Sequence, residues 1–261
     1  MSAAGKKAKA LARATAFLAR SLELIAGSIE PIEGGWVVLT PSLPLVWNLN
    51  QLRIVGPMSS RSVLEHAEAH LAPLPFRHLV AEGDSLGRAL ERPLRREGYK
   101  LEREVVMVMA GQPRSRTHAP RVDLIEPDER ALEKLERRWL AEDDRISEEV
   151  ADQVLEATYR EGQALHERRF AVLDDDGRPA AMTKLRSDGR TAQVEDVYTA
   201  PESRGRGFAS ALVSHAVTSA QEGGAEFTFI VADDDDWPKR LYARLGFAPV
   251  GRKWAFHKDL V

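Results

Sequence analysis

Cysteine is absent from all 261 residues. That excludes disulfides, thiolate metal centres and a cysteine nucleophile together. No apolar run approaches the roughly 18 residues needed to cross a bilayer. Excess charge is also missing: the formal net charge is −3, so nothing global points to nucleic acid or an anionic membrane as a partner. Acidic residues are missing from the N-terminus up to Glu23, as in some targeting peptides. That stretch lacks a continuous apolar core, however. Ala8, Leu11, Phe17, Leu18, Leu22 and Ile25 fall on one helical face, which predicts a packed first helix. The expected location is cytoplasmic. With 43% hydrophobic and 30% charged residues the chain reads as globular, one large domain or two of ordinary size.

The stretch 111–120, "GQPRSRTHAP", has no apolar periodicity and reads as a linker. Either side of it the same order of elements recurs. In the second half the strand-like "FTFIVAD" leads to "WPKRLYARLGF" and then "GRKWAFHKDL". In the first half "FRHLVAE" leads to "SLGRALERPLRREGY" and then "KLEREVVMVMA". Each helix ends on a glycine and an aromatic, Gly98-Tyr99 and Gly246-Phe247, a helix stop followed by a strand start. The pattern predicts an internal duplication. The halves differ before the first helix of each: "VGPMSSRSVLEHAEAHL" has its one glycine before a proline, whereas the second half has "APESRGRGFASAL".

That second loop carries the chemistry. "QVEDVYT" is rich in β-formers and runs into Pro201, and after Gly207 apolar residues recur at helical spacing until Gly223-Gly224. Arg204 to Ala209 therefore sit at a strand-to-helix turn. Free helix N–H groups, the helix dipole and two arginines make such a turn suited to a pyrophosphate. A Walker loop would need Gly-Lys-Ser/Thr, and "GRGFAS" lacks the third glycine of a dinucleotide fingerprint.

"RGRGFA" fits R-x-x-G-x-A, and together with the preceding "EDVYT", the following helix and "FTFIVAD", and the closing "LYARLGFAPVG" it resembles the acyl-CoA loop of the GNAT superfamily of N-acetyltransferases. The resemblance covers 119–261. The first half resembles only a degenerate copy, as in tandem members. It implies an α/β protein of two GNAT-like mixed-sheet domains, 1–116 degenerate and 119–261 catalytic. It also implies acetyl-CoA as cosubstrate and a primary amine, of a small molecule or a protein, as acceptor. By resemblance, Arg204, Gly205, Arg206, Gly207, Phe208, Ala209 and Ser210 hold the pyrophosphate, and Val197, Tyr198 and Thr199 line the pantetheine arm. Glu195 is the candidate base and Tyr242 the candidate acid for the leaving thiolate. Glu195 and Asp196 are adjacent, so on a regular strand they point to opposite faces unless a bulge intervenes.

One departure is Asp235, inside "DDDD" (233–236), where the family often has asparagine. That run reads either as a solvated helix start or as an acidic wall for a cationic acceptor. His66 and His70 stand at metal-ligand spacing, yet no third ligand is evident, so surface histidines and no metal site are expected. The five tryptophans show no periodic spacing and read as packing residues. Two rival functions remain: a non-catalytic acyl-CoA-binding regulatory module, and an aminoacyl transferase using charged tRNA, which the lack of a basic surface signal disfavours. Oligomeric state stays open.

Overall fold

The computed structural model describes residues 2–113, 121, 123–124 and 129–260. The linker expected at 111–120 falls mostly outside them. In chain order the elements are α1 (Ala3–Ile25), β1 (Ser28–Ile32), β2 (Gly35–Leu39), β3 (Gln51–Ile54), α2 (Ser60–Leu71), β4 (Phe76–Glu82) and α3 (Asp84–Arg96). Then come β5 (Lys100–Met109), β6 (Asp123–Leu124), α4 (Glu129–Leu140), α5 (Glu148–Ala164), β7 (His166–Leu173) and β8 (Pro179–Ser187). β9 (Thr191–Thr199), α6 (Phe208–Glu222), β10 (Phe227–Asp233), α7 (Pro238–Leu245) and β11 (Phe247–Asp259) complete the chain. The protein is α/β, as its sequence predicts.

Two compact units result, and neither is one continuous stretch. The first comprises Met1–Val106, Ala232–Asp236 and Val250–Val261; the second comprises Met107–Val231 and Trp237–Pro249. The C-terminal strand thus joins the unit built mainly from the first half. The order β3-α2-β4-α3-β5 recurs as β9-α6-β10-α7-β11. In each copy the first two strands pair in parallel, β3 with β4 and β9 with β10. Gly98 and Gly246 take left-handed conformations (φ +88° and +110°) after α3 and α7, where a side chain would be strained.

In the first unit the strand order is β1-β2-β3-β4-β11-β5. Val37, Leu52, Ile54, Leu79 and Phe256 form the core face, packed with Val63, Leu71, Leu90 and Leu94 of α2 and α3. α3 lies so close to β11 that a Cβ on Gly87 would stand 2.1 Å from Trp254 Cγ, so only glycine fits there. The Trp254 indole N–H donates to Asp84 at 3.0 Å. α1 is capped by Ser2, whose hydroxyl accepts from the Gly5 N–H, and buries Ala14, Phe17 and Leu22.

In the second unit the order is β10-β9-β8-β7-β6. α6 packs against β7, β8 and β9, burying Phe208, Leu212, Val213, Ala216 and Val217. That helix is apolar over most of its surface, which is why its sequence shows only a weak amphipathic stripe. Leu132 and Leu135 of α4 cluster with Ala171, Met182 and Tyr198. Lys184 and Arg186 follow Met182 at two-residue spacing, so all three share one face of β8.

Candidate active site

The glycine-rich turn has the geometry its composition predicts. Gly205 and Gly207 adopt φ +78° and +86°, and no atom lies within 4 Å of a Cβ placed on Gly205; backbone conformation, not crowding, calls for glycine there. Gly207 is the residue before α6, and no side chain caps the helix. The first-turn N–H groups of Phe208, Ala209 and Ser210 therefore face outward with the positive end of the helix dipole.

The two arginines of the loop have different roles. Arg204 is committed to the protein: its guanidinium donates to both oxygens of Glu142 at 2.7 and 2.8 Å and to the Thr199 carbonyl at 3.0 Å. Glu142 also accepts from the Tyr198 hydroxyl at 2.8 Å. Arg138 holds Glu202 beside it at 2.6 and 2.7 Å. Arg206 is exposed, with its guanidinium 4.7 Å from the centre of the Phe208 ring, and is the cation the loop presents outward. Nothing in the sequence marked Glu142 as the anchor of this loop.

β9 and β10 run in register from Thr191 opposite Phe227 to Val194 opposite Ile230, and pairing stops there. On that side the backbone from Glu195 to Thr199 has no strand partner among the described residues, while β8 continues along the other side. Such an edge can accept an extended amide-bearing arm. Tyr198 is buried in the α4 cluster, and burial with the Glu142 contact raises its hydroxyl to about 12. Among Val197, Tyr198 and Thr199, Tyr198 can therefore serve such an arm only through its backbone. The Thr199 hydroxyl is buried and has no hydrogen-bond partner among the described residues.

A β-bulge decides the arrangement of the carboxylates. Met182 pairs with Tyr198 and Lys184 with Glu195, so β9 spends one more residue than β8. Asp196 takes φ 53°, left-handed backbone that aspartate tolerates better than most residues. The alternation expected for Glu195 and Asp196 is thereby broken. Both reach cations on the same face of β8: Lys184 Nζ lies 2.8 Å from Asp196, and Arg186 Nη1 lies 2.5 Å from Glu195. α4 adds Glu136 at 2.5 Å from Lys184. α5 adds Glu161 at 2.7 Å from Arg186, and β7 adds Glu167 at 2.9 Å.

The two acids differ in electrostatics. Burial pushes Glu195 up to about 7; Arg186 opposes this, and Asp196 and Glu161 add to it. Burial also acts against the charge of Asp196, but Lys184 and Arg186 outweigh it and hold that carboxyl low. Lys184 loses charge stability through burial, yet its two carboxylates keep it more basic than usual. Glu195 is also the more accessible acid, its side chain 33% exposed against 14% for Asp196. A carboxyl poised near neutrality and open to solvent is what proton abstraction requires. In "TKLRS" two cations at two-residue spacing on an otherwise apolar strand were the available signal for the network.

Tyr242 on α7 is 6% exposed and packs 6.2 Å from Phe247. Burial alone raises its hydroxyl well above the ordinary value, so it is protonated at neutral pH. Two members of the acidic run are engaged by arginines. α7 starts at Pro238 with no acid in its first turn, while Asp235 accepts a two-pronged contact from Arg103 at 2.6 and 2.9 Å and Asp234 one from Arg252 at 2.6 Å. His66 and His70 stack 5.8 Å apart. Trp254 is core, whereas Trp36 and Trp237 are 42% and 56% exposed.

Residues 130–247 match the acetyltransferase (GNAT) family model. That segment is a GNAT domain. A GCN5-related N-acetyltransferase from Kribbella flavida is similar in fold at 17% identity and TM-score 0.64, over 95% of each chain. A functionally unknown conserved protein from Staphylococcus epidermidis is similar at 16% identity and TM-score 0.74, over 91% of this chain and 96% of that one. A tandem GNAT protein from the clavulanic acid biosynthesis pathway is similar at 16% identity and TM-score 0.52, over 81% of this chain and 75% of that one. No curated protein matches the chain. Among the described residues no helix is long and apolar enough to cross a membrane.

Proposed function

We propose that the protein is an acetyl-CoA-dependent N-acetyltransferase acting on a primary amine of a small molecule or protein, with all of its chemistry in the GNAT domain and a degenerate copy of that fold in the first half. GNAT acetyltransferases use acetyl-CoA as cosubstrate. The observation that carries the reading is the conjunction, within one unit, of an uncapped helix start after two left-handed glycines, an unpaired strand edge and a carboxyl poised near neutrality. The residues present fit the cosubstrate. The α6 N–H groups and Arg206 would bind its pyrophosphate, and the edge from Val197 to Thr199 its pantetheine arm, where the buried Thr199 hydroxyl lacks a partner among the described residues.

Bound acetyl-CoA supplies an activated acyl carbon. Glu195 accepts a proton from the acceptor ammonium, so that the neutral nitrogen can form the new C–N bond as the C–S bond breaks. Arg186 orients the Glu195 carboxylate. A backbone N–H at the unpaired end of β9 would donate to the thioester oxygen on which negative charge develops. Tyr242 would give its hydroxyl proton to the departing sulfur, and the second proton that the nitrogen sheds as the amide forms would return the tyrosine to its neutral state. Arg204 acts indirectly: by tying Glu142 to Thr199 it holds the loop.

The test is CoA release from acetyl-CoA across a panel of primary amines. Turnover with at least one amine is expected. Tight acetyl-CoA binding with no turnover on any amine or protein would favour the regulatory module instead.

A further inference from the structure

The first unit's sheet has a second face, opposite the one that packs on α2 and α3, and α1 covers it incompletely. Ala12, Ala16 and Ala19 stand where larger residues would close the gap. Between them and the strands lies a cavity of about 360 Å³, within the range of small-molecule sites. Val38 forms part of its apolar wall, and Trp36, 42% exposed, stands on its rim.

Polar side chains interrupt this apolar lining in two places: Thr15 and Glu23 on α1, where Glu23 pairs with Arg20 at 3.5 Å in solvent, and an ion pair on the strands. Arg53 on β3, only 9% exposed, forms an ion pair with Glu82 at the end of β4, and both line the cavity. The pair is neutral as a whole. A guanidinium nevertheless carries five N–H donors and a carboxylate about four acceptor sites, more than one contact uses. The wall thus offers a donor and an acceptor side by side with no net charge. An ionic ligand would bring an uncompensated charge into an apolar cleft, which is costly. A primary carboxamide brings an acceptor and a donor side by side and no charge.

We propose that this cavity binds an uncharged molecule with an apolar, phenyl-sized body and a primary carboxamide, the amide oxygen accepting from Arg53 and its N–H donating to Glu82. The body lies against the α1 alanines and the Trp36 ring. The site is separate from the GNAT chemistry and does not depend on the acetyl-transfer reading.

Three probes of equal size separate the possibilities: 3-phenylpropanamide, 3-phenylpropanoate and 3-phenylpropylamine, titrated calorimetrically into the full chain. The expected result is saturable amide binding at least about tenfold tighter than for either ion, with loss of binding in Ala16→Trp. Position 16 is exposed on α1, so the added ring fills the cleft without entering the core. Ala12→Phe blocks the same cleft one turn away should the first variant fold poorly; circular dichroism reports folding in both. No saturable amide binding up to millimolar concentration, preference for either ion, or undiminished binding in a folded blocked variant would overturn the assignment.

Discussion

Arg186 Nη1 lies 2.5 Å from Glu195 Oε2, and the same buried guanidinium also serves Glu161 and Glu167. Arg169 also pairs with Glu167 at 2.6 Å, so three carboxylates face two cations and leave an excess of negative charge in a poorly solvated place. A proton on one of them relieves it, and Glu195 is the carboxyl that rises to about 7. Arg186 fixes the place of the base, while burial, aided by Asp196 and Glu161 and opposed by Arg186, sets its acidity.

Removing the cation tests the structural side of that statement. Arg186→Met keeps an apolar stem but leaves three acids facing one another, so a loss of about 3–5 kcal/mol in denaturant-derived stability is expected. A loss under about 1 kcal/mol would show that the network contributes little to the fold.

The pH dependence has a definite sign. Rate at saturating acetyl-CoA rises as Glu195 ionises through about pH 7. Glu195→Gln is slow at neutral pH and recovers partly at high pH, where the amine loses its proton unaided. Stability runs the other way. With its folded value raised, Glu195 binds a proton more strongly in the native state, so its contribution is complete below the ordinary glutamate range and is lost as pH rises to about 7. Denaturation curves of wild type and Glu195→Gln at pH 5 and 8 should show the wild type losing more stability. Parallel behaviour would remove the shifted carboxyl.

Tyr242→Phe keeps the packing of the ring and removes one proton. Turnover should fall by roughly 10²–10⁴-fold with acetyl-CoA affinity unchanged. A matching loss of affinity would assign the residue to cofactor packing instead.

Gly207 sits at φ 86° before α6, and valine there is both strained and bulky. Gly207→Val should fold yet bind acetyl-CoA too weakly for calorimetry. Wild-type affinity in the folded variant would rule out the loop as the pyrophosphate site.

Calorimetric stoichiometry should approach one acetyl-CoA per chain, because the turn before α2 has no counterpart of Gly205 and Gly207. Two equivalents would mean that the first copy retains a cofactor site.

The local sequence was enough for whatever depends on neighbours in the chain. Glycines at 205 and 207, β-formers before them and helical spacing after them specify a strand, a left-handed turn and a helix start, because φ preference and side-chain periodicity act over a few residues. The recurring strand–helix–strand order at the end of each half was legible for the same reason. Tertiary structure alone decided the rest. Which unit receives β11 depends on strand pairing with β4 across some 170 residues, and edge hydrogen bonds carry no sequence label. The bulge that turns Asp196 toward Lys184 while Glu195 meets Arg186 depends on register against β8. The burial that puts Glu195 near neutrality, and the acids Glu161, Glu167 and Glu142 that reach Arg186 and Arg204 from α5, β7 and the loop after α4, are brought together by packing of apolar faces that say nothing about which ions they will enclose.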